Sequence, residues 1–191
     1  MGKMTRIYLK KPKDSGENSR ELIRRLAWEY SGDTGLFLGD YRSFVNHNNI
    51  KVDVDGKPFF QKGFPEFSIS HSGEYWCCCF SLEACGIDIQ EMRRVNIEGI
   101  AERFFTLGEQ KYVLKEKEAG FYDIWTRREA YGKMTGKGFF VEAPDFVNGK
   151  GELKNRVKFK GAYYNLQEIQ GPMKYKWSVC SRDKNIEVIK L

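Results

Sequence analysis

Residues 85–90, CGIDIQ, are the stretch on which the fold and the candidate site depend. The apolar residues before Asp88 indicate a buried strand, and strand side chains alternate between two faces. Ile89 is therefore expected on one face, with Asp88 and Gln90 together on the other. A carboxylate presented at the end of a strand in this way is placed to hold a ligand.

A second acid follows in residues 125–133, WTRREAYGK, which are predicted to be helical. Glu129 and Lys133 are one turn apart there and share a face of the helix. Magnesium takes one or two protein carboxylates and completes its shell with waters and substrate oxygens. Asp88, Glu129 and Lys133 together therefore suit a hard cation beside a phosphate.

Length and composition predict a folded protein of one domain, or of two small lobes that share a cleft. The chain has 191 residues, of which 41% are hydrophobic and 15% aromatic, and these values lie outside the range typical of disorder. Lys and Arg total 32 against 26 Asp and Glu. This modest basic excess favours an anionic partner such as a nucleotide, an acidic protein or a nucleic acid.

The sequence has no apolar run long enough to cross a bilayer, and its start lacks the features of a secretory signal. A cytoplasmic protein is therefore expected. The five cysteines include three in a row, Cys77, Cys78 and Cys79, a spacing typical of neither a disulfide framework nor a zinc site. We interpret them as small apolar strand residues in a reducing compartment.

The amino-terminal region is predicted to begin with a strand and a helix. Residues 5–9 alternate as in a strand, and residues 10–18 are polar as in a loop. Ser19 can then cap a helix that runs to about Tyr30 and ends at Gly32.

The next segments point to further strands. Residues 36–44, LFLGDYRSF, are ambiguous between strand and loop, whereas residues 50–60 indicate a strand entering a tight turn at 55–56. Residues 64–90 contain two strands joined by a short turn, followed by the strand of Asp88. The short connections predict that these three strands form one antiparallel sheet.

The pattern then changes to the helical period. Residues 97–104 mark a short helix, and Thr106 with Glu109 forms a possible capping box for a second one. Gly120 is expected to break that helix, and the helix that follows is expected to stop at Gly136.

Strands return in the last part of the chain, at residues 145–159, 162–169, 174–181 and 186–191. Both halves therefore contain helices and a small antiparallel sheet. The organisation predicts an α+β protein with an amino-terminal lobe at residues 1–95 and a carboxyl-terminal lobe at 96–191. The two lobes are expected to pack as one unit with the active site between them.

Several spaced motifs resemble those of the 4'-phosphopantetheinyl transferases of the surfactin-synthetase-activating (Sfp) type. They are GKP at 56–58, FSISHSG at 67–73, GIDI at 86–89, RFFTLGE at 103–109 and WTRREAYGKMTGKG at 125–138. The resemblance implies two similar α+β lobes related by a pseudo-two-fold axis, with coenzyme A and Mg²⁺ in the cleft. It also implies transfer of the phosphopantetheine arm of coenzyme A to a serine of an apo carrier protein, which releases adenosine 3',5'-bisphosphate.

The resemblance also implies a metal site. Asp88 matches the principal magnesium ligand, and Glu129 matches an acid that binds the ion or deprotonates the attacking serine. Gln90 stands where the family often has Glu, so whether it contacts the metal directly is open. Glu109 matches a further family acid, but its place in the capping box gives it a structural role as well, and both roles stay open here.

The contacts to coenzyme A are implied in the same way. Lys133 is expected against the pyrophosphate, with Ser70, His71 and Arg128 as further phosphate contacts, although Arg128 replaces the usual Lys. Lys57 and Pro58 are expected beside the adenine. Arg20 is expected at the 3'-phosphate.

The carrier, an acyl or peptidyl carrier protein, is expected to dock beside the metal site. The proposed docking residues are basic and apolar: Met92, Arg93, Arg94, Phe105, Lys111 and Tyr112. A monomer that binds neither nucleic acid nor membrane is expected. Two other functions remain open on the residues alone: a magnesium-dependent phosphohydrolase or nuclease using Asp88, Glu109 and Glu129, and a non-catalytic basic module for nucleotides or nucleic acid.

Overall fold

The computed structural model describes residues 4–11, 18–36, 40–47, 50–139, 142–159 and 161–191. Those ranges contain four α-helices and ten β-strands. The helices are α1 (Ser19–Thr34), α2 (Tyr41–His47), α3 (Ile97–Phe104) and α4 (Leu107–Thr135). The strands are β1 (Met4–Lys10), β2 (Lys51–Val52), β3 (Pro58–Phe59), β4 (Glu66–Ser72), β5 (Tyr75–Ser81), β6 (Cys85–Glu91), β7 (Arg156–Phe159), β8 (Ala162–Glu168), β9 (Tyr175–Ser181) and β10 (Asn185–Lys190).

The strands form two four-stranded sheets, with orders β10-β1-β5-β4 and β6-β9-β8-β7, and the short pair β2-β3. Neighbouring strands are antiparallel except β1 and β10, which are parallel. The predicted α+β class with small, largely antiparallel sheets is confirmed. The pseudo-two-fold relation between lobes stays a prediction.

Two strands join sheets that their place in the chain does not suggest. The predicted three-stranded sheet of residues 64–90 is wrong in its third member, because β6 pairs with β9 rather than with β4 or β5. Strand β10, from the carboxyl-terminal half, pairs with β1 in the amino-terminal half. Sheet membership therefore crosses the boundary placed at residues 95 and 96, and the division into lobes at that point stays a prediction.

Three apolar cores hold these layers together. One lies between α1, α2 and the first sheet and includes Leu26, Tyr30 and Phe44. A second packs α3 and α4 on the second sheet. A third lies between the two sheets and includes Ile87 and Ile89 of β6. All five cysteines are buried and free, which confirms their interpretation as apolar strand residues.

Helix α1 begins and ends at different residues from those predicted. Asn18, rather than Ser19, caps α1 by accepting a hydrogen bond from the Arg20 N–H at 2.9 Å. The helix continues to Thr34 and ends at Gly35, whose φ of 70° suits glycine. The polar loop predicted at residues 10–18 lies mostly outside the described residues.

Residues 36–44 were ambiguous between strand and loop, and the described part of them begins helix α2 instead. Asp40 accepts a hydrogen bond from the Ser43 N–H at 2.8 Å, as a helix cap does. Phe44 is fully buried and packs edge-on against Trp28 and Phe64. Tertiary burial of this aromatic residue therefore decides the conformation.

The helices of the second half match their predictions closely. The capping box of Thr106 and Glu109 is present, and Gly136 caps the carboxyl end with φ 74°. The break predicted at Gly120 lies instead at Lys117, where φ is 58° and ψ is −137°. Gly120 itself is buried within α4. No helix in the described ranges is both long and apolar enough to span a bilayer.

Candidate active site

Asp88 lies near the centre of β6 and is almost completely buried, with 1% of its surface exposed. Its Oδ1 accepts hydrogen bonds from Ser70 Oγ at 2.8 Å and from Lys133 Nζ at 2.7 Å. Burial raises the pKa of Asp88 above its ordinary value, and the Lys133 ammonium opposes that rise. The carboxylate is thus brought together with the lysine predicted to accompany it.

Glu129 extends the site from α4. Burial and the nearby charge of Asp88 raise its pKa, while Lys133 lowers it. Two features hold α4 in this position. Gly86 lets the backbone of β6 approach Ala130, and Thr126 Oγ1 is 2.9 Å from Ser178 Oγ on β9.

The residues at this point fit a divalent cation. Asp88 Oδ2 is buried and has no hydrogen-bond partner among the described residues, although a buried acceptor normally has one. The mutual repulsion of the Asp88 and Glu129 carboxylates would be relieved by a cation between them. No group of three or more His, Cys, Asp or Glu side chains converges as a metal site in the described residues. An amide, water or substrate oxygen can complete the shell of an ion held by two carboxylates.

Two cavities lie along β4 and α4, one on either side of Asp88 and Glu129. One, of about 220 Å³, is lined by Asp55, Gly56, Lys57, Pro58, Phe67, Ser68, Ile69, Gly132, Lys133, Gly136 and Gly138. The other, of about 270 Å³, is lined by Ser72, Gln90, Glu91, Arg93, Val95, Ile100, Phe121, Tyr122 and Trp125. The first brings together three residues predicted to contact coenzyme A, which are Lys57, Pro58 and Lys133. We call it the lysine cavity and the second the tryptophan cavity.

Glu109 and Arg128 form a buried ion pair away from these contacts. Glu109 is fully buried, and its Oε2 accepts from Arg128 Nη2 at 2.6 Å, from Arg128 Nε at 3.2 Å and from the Thr106 N–H at 3.0 Å. Its Oε1 accepts from the Phe146 N–H at 3.1 Å. The capping role of Glu109 is therefore present. The metal role of Glu109 and the phosphate contact of Arg128 stay predictions, and both side chains have structural partners instead.

The remaining predicted site residues are Gln90, Lys57, His71 and Arg20. Gln90 shares the face of Asp88, and its Oε1 accepts from Ser72 Oγ at a long 3.4 Å. Lys57 donates from Nζ to the Met134 carbonyl at 3.2 Å, at the carboxyl end of α4. His71 and Arg20 are exposed, on β4 and in the first turn of α1, and their phosphate contacts stay predictions.

The predicted docking residues do not all lie on the surface. Arg93, Arg94 and Lys111 are exposed, whereas Met92 and Tyr112 are partly buried. Phe105 is only 6% exposed and stacks on Phe121, so its assignment to a docking surface is corrected. The Arg93 guanidinium pairs with Glu91 at 2.6 Å.

The prediction missed two polar residues beside the site, Ser68 and Ser72 on β4. Their hydroxyls accept hydrogen bonds from backbone N–H groups of β6. The signal was present in residues 67–72, FSISHS, where serines alternate along a strand whose other residues are mostly apolar. Polar side chains at the same face of a strand need partners when that face is buried.

Comparisons with known proteins identify relatives of this chain. The family model of the 4'-phosphopantetheinyl transferase superfamily matches residues 84–180, which include β6 and α4. The chain is 30% identical to the 4'-phosphopantetheinyl transferase Sfp of Bacillus subtilis strain 168, over 92% of this chain and 90% of Sfp.

Two further relatives match over shorter regions. The 4'-phosphopantetheinyl transferase gsp of Aneurinibacillus migulanus is 33% identical over 66% of this chain, and psf-1 of Bacillus pumilus is 31% identical over 70%. The match spans only 55% of the length of gsp and 60% of that of psf-1.

Proposed function

Because the chain belongs to the 4'-phosphopantetheinyl transferase superfamily, we propose that it transfers 4'-phosphopantetheine from coenzyme A to a serine of an apo carrier protein. The carrier is an acyl or peptidyl carrier, and the second product is adenosine 3',5'-bisphosphate. The observation that carries the proposal is the convergence of Asp88 and Lys133 at 2.7 Å, where Asp88 Oδ2 is buried with no hydrogen-bond partner in the part of the chain that the structure describes.

The two cavities support an orientation for coenzyme A. The lysine cavity offers the cationic groups of Lys57 and Lys133, which suit the nucleotide and its phosphates. The tryptophan cavity is lined in part by the apolar side chains of Val95, Ile100 and Trp125, which suit the less polar pantetheine arm. Asp88, which bonds Ser70 of β4, lies between the residues of β4 that line the two cavities. The pyrophosphate that is cleaved is therefore proposed to sit beside Asp88.

In the proposed reaction the serine hydroxyl oxygen forms a bond to the phosphorus that carries pantetheine. The bond from that phosphorus to the bridging oxygen breaks, and adenosine 3',5'-bisphosphate leaves with the electron pair. Glu129 accepts the serine proton on the carboxylate oxygen that does not bind the ion. Lys133 donates a hydrogen bond to the pyrophosphate and offsets the charge that builds on it.

Asp88 and Glu129 are proposed to hold Mg²⁺, and Gln90 can add its carbonyl oxygen or hold a water. When bound, the ion would supply positive charge that offsets the negative charge developing on the leaving phosphate as the pyrophosphate bond breaks. The protein is proposed to act in the cytosol as a monomer.

The test is mass spectrometry of a panel of apo carrier proteins incubated with coenzyme A, Mg²⁺ and the protein. We expect the phosphopantetheine mass to appear on at least one carrier. Asp88→Ala and Glu129→Ala should each lower the rate by about two to three orders of magnitude, since each removes a preorganised charge. Glu118→Ala, which changes an exposed acid of α4, serves as the control and should keep the rate.

Release of inorganic phosphate from coenzyme A without modification of any carrier would instead indicate a phosphohydrolase. Such an outcome would overturn the proposal. So would full transfer activity in a folded Asp88→Ala variant, because the site would then lie elsewhere.

A further inference from the structure

Three serines of β4 form a row of hydrogen bonds to β6, which runs beside it. Ser68 Oγ accepts from the Ile87 N–H at 3.2 Å, Ser70 Oγ from the Ile89 N–H at 3.3 Å, and Ser72 Oγ from the Glu91 N–H at 2.9 Å. The serines alternate along β4 and their partners alternate along β6. We call this row the serine ladder.

The serine ladder provides hydrogen-bond acceptors for backbone N–H groups at the outer edge of β6. Strand β6 is at the edge of its sheet, because among the described strands it pairs only with β9 in the order β6-β9-β8-β7. Its outward N–H groups at Ile87 and Ile89 are nevertheless buried between the two sheets. Buried N–H groups without an acceptor destabilise the fold, and the serine hydroxyls provide that acceptor.

The ladder also fixes the spacing of the two strands. Strands joined by backbone hydrogen bonds lie about 4.8 Å apart, whereas a link through a side chain is longer. The Asp88 carboxylate meets β4 at this link, through the hydroxyl of Ser70. The middle rung shows the connection directly, since Ser70 Oγ accepts from Ile89 and donates to Asp88 Oδ1 at 2.8 Å.

The outer rungs bracket Asp88 and Gln90, the two members of the candidate metal site that lie on β6. Ser68 binds the residue immediately before Asp88, and Ser72 binds the residue immediately after Gln90. Ser72 Oγ also lies 3.4 Å from Gln90 Oε1. On the opposite side, β6 is confined by α4, because a β-carbon at Gly86 would meet the backbone of Ala130 and Met134.

We propose that Ser68 and Ser72 are positioning residues, which set Asp88 and Gln90 for cation binding by holding β6 at a fixed spacing from β4. Neither hydroxyl needs to touch the ion or the substrate for this role. The inference rests on the proposed function insofar as it assumes that Asp88 binds a cation.

The first measurement is independent of any activity. Amide hydrogen exchange followed by NMR reports the protection of the Ile87 N–H. Ser68→Ala should speed exchange at Ile87 by about tenfold, the effect of losing one hydrogen bond. Ser68→Thr, which keeps a hydroxyl, should restore protection. Ser31→Ala is the matched control, since the buried Ser31 hydroxyl bonds to the Ala27 carbonyl within α1, and it should leave Ile87 unchanged.

The second measurement is Mn²⁺ affinity, read from the electron paramagnetic resonance signal of the free ion. We expect Ser68→Ala and Ser72→Ala each to weaken Mn²⁺ binding several-fold, while Ser68→Thr and Ser31→Ala bind as the wild type does. Ser72→Ala keeps the test decisive if Ser68→Ala fails to fold, because Ser72 is only partly buried.

Wild-type Mn²⁺ affinity in folded Ser68→Ala and Ser72→Ala would overturn the inference, and the ladder would then be a structural contact only. Absence of Mn²⁺ binding by the wild type would overturn it as well. Carrier transfer by the wild type is scored separately. If transfer is present while the serine variants bind Mn²⁺ normally, the positioning role fails and the proposed function stands.

Discussion

The α-carbon of Gly86 lies against the backbone of Ala130, so that a β-carbon at position 86 would overlap the Ala130 carbonyl oxygen and come within 2.5 Å of the Met134 nitrogen. Backbone atoms of a helix cannot turn aside as a flexible side chain can. This contact therefore sets how closely the α4 helix, which carries Glu129 and Lys133, approaches the strand of Asp88.

We expect Gly86→Ala to push α4 away from β6, which should lower the free energy of unfolding by about 1–3 kcal/mol through overpacking. The rate of carrier transfer should fall by more than this loss of stability alone would cause, because the displaced helix would move Lys133 away from Asp88. Gly149→Ala is the matched control, since a β-carbon there meets nothing within 4 Å. Thermal melting and carrier-transfer rates measure the two effects. Equal rates in both folded variants would contradict the prediction.

Glu109 provides a test between a structural and a metal-binding role. Glu109→Gln leaves the buried guanidinium of Arg128 without its charge partner. Removing one member of a buried pair typically costs about 3–5 kcal/mol. We therefore expect a large drop in the free energy of unfolding measured with urea, and an unchanged magnesium requirement in the folded fraction. Glu118→Gln, at an exposed position of α4, is the control. A raised magnesium requirement with intact stability would instead assign Glu109 to the metal.

The pKa of Glu129 makes stability depend on pH in the metal-free protein. Burial and Asp88 raise this pKa above 4.5, so the folded state keeps the proton at pH values where the unfolded chain has lost it. Stability from this group is then present at low pH and is lost as pH rises through the folded pKa. Glu129→Gln removes the effect.

We accordingly expect Glu129→Gln to gain stability relative to the wild type as pH rises toward neutrality, in thermal melts with a chelator. Mg²⁺ at neutral pH should raise the melting temperature of the wild type more than that of the variant. Parallel pH profiles for the two proteins would mean that Glu129 is not destabilised by its surroundings.

Local signals in the sequence predicted the parts of the site that depend on neighbouring residues. The alternation in residues 85–90 placed Asp88 and Gln90 on one face, and the spacing of Thr106 and Glu109 predicted a capping box that the structure contains. Gly136 marked the end of α4 for the same reason. Each of these features is set within about one helical turn or a few strand residues.

Non-local partners could not be predicted in this way. Short connections favour pairing of consecutive strands, but β6 pairs with β9, and β10 with β1. The charge of Arg128 was visible in the sequence, yet its partner Glu109 lies on a different turn of the bent helix and is reached only after folding. Phe105 likewise looked available for docking, and only its packing on Phe121 removes it from the surface.

Replacing Gln90 with glutamate is expected to strengthen magnesium binding. Gln90→Glu places a third carboxylate on the face of Asp88, so the magnesium concentration for half-maximal transfer should fall. Gln167→Glu makes the same chemical change at an exposed position of β8 and should leave that concentration unchanged. An equal or higher requirement in Gln90→Glu would place Gln90 outside the shell of the ion.

The docking surface provides the last prediction. Arg93 and Arg94 are exposed, and Arg93 lines the tryptophan cavity beside Gln90. Charges at the rim of an interface act mainly on the encounter rate and its salt dependence. Arg93→Glu with Arg94→Glu should therefore raise the KM for an acidic carrier and flatten its salt dependence, while coenzyme A affinity changes less than that KM, although Arg93 also lines the cavity proposed for the pantetheine arm. Lys150→Glu with Lys184→Glu changes the net charge equally at exposed positions elsewhere and should alter the KM less. If both double variants behave alike, only net charge matters and the carrier docks on another surface; if coenzyme A affinity falls instead, these arginines belong to the coenzyme A site.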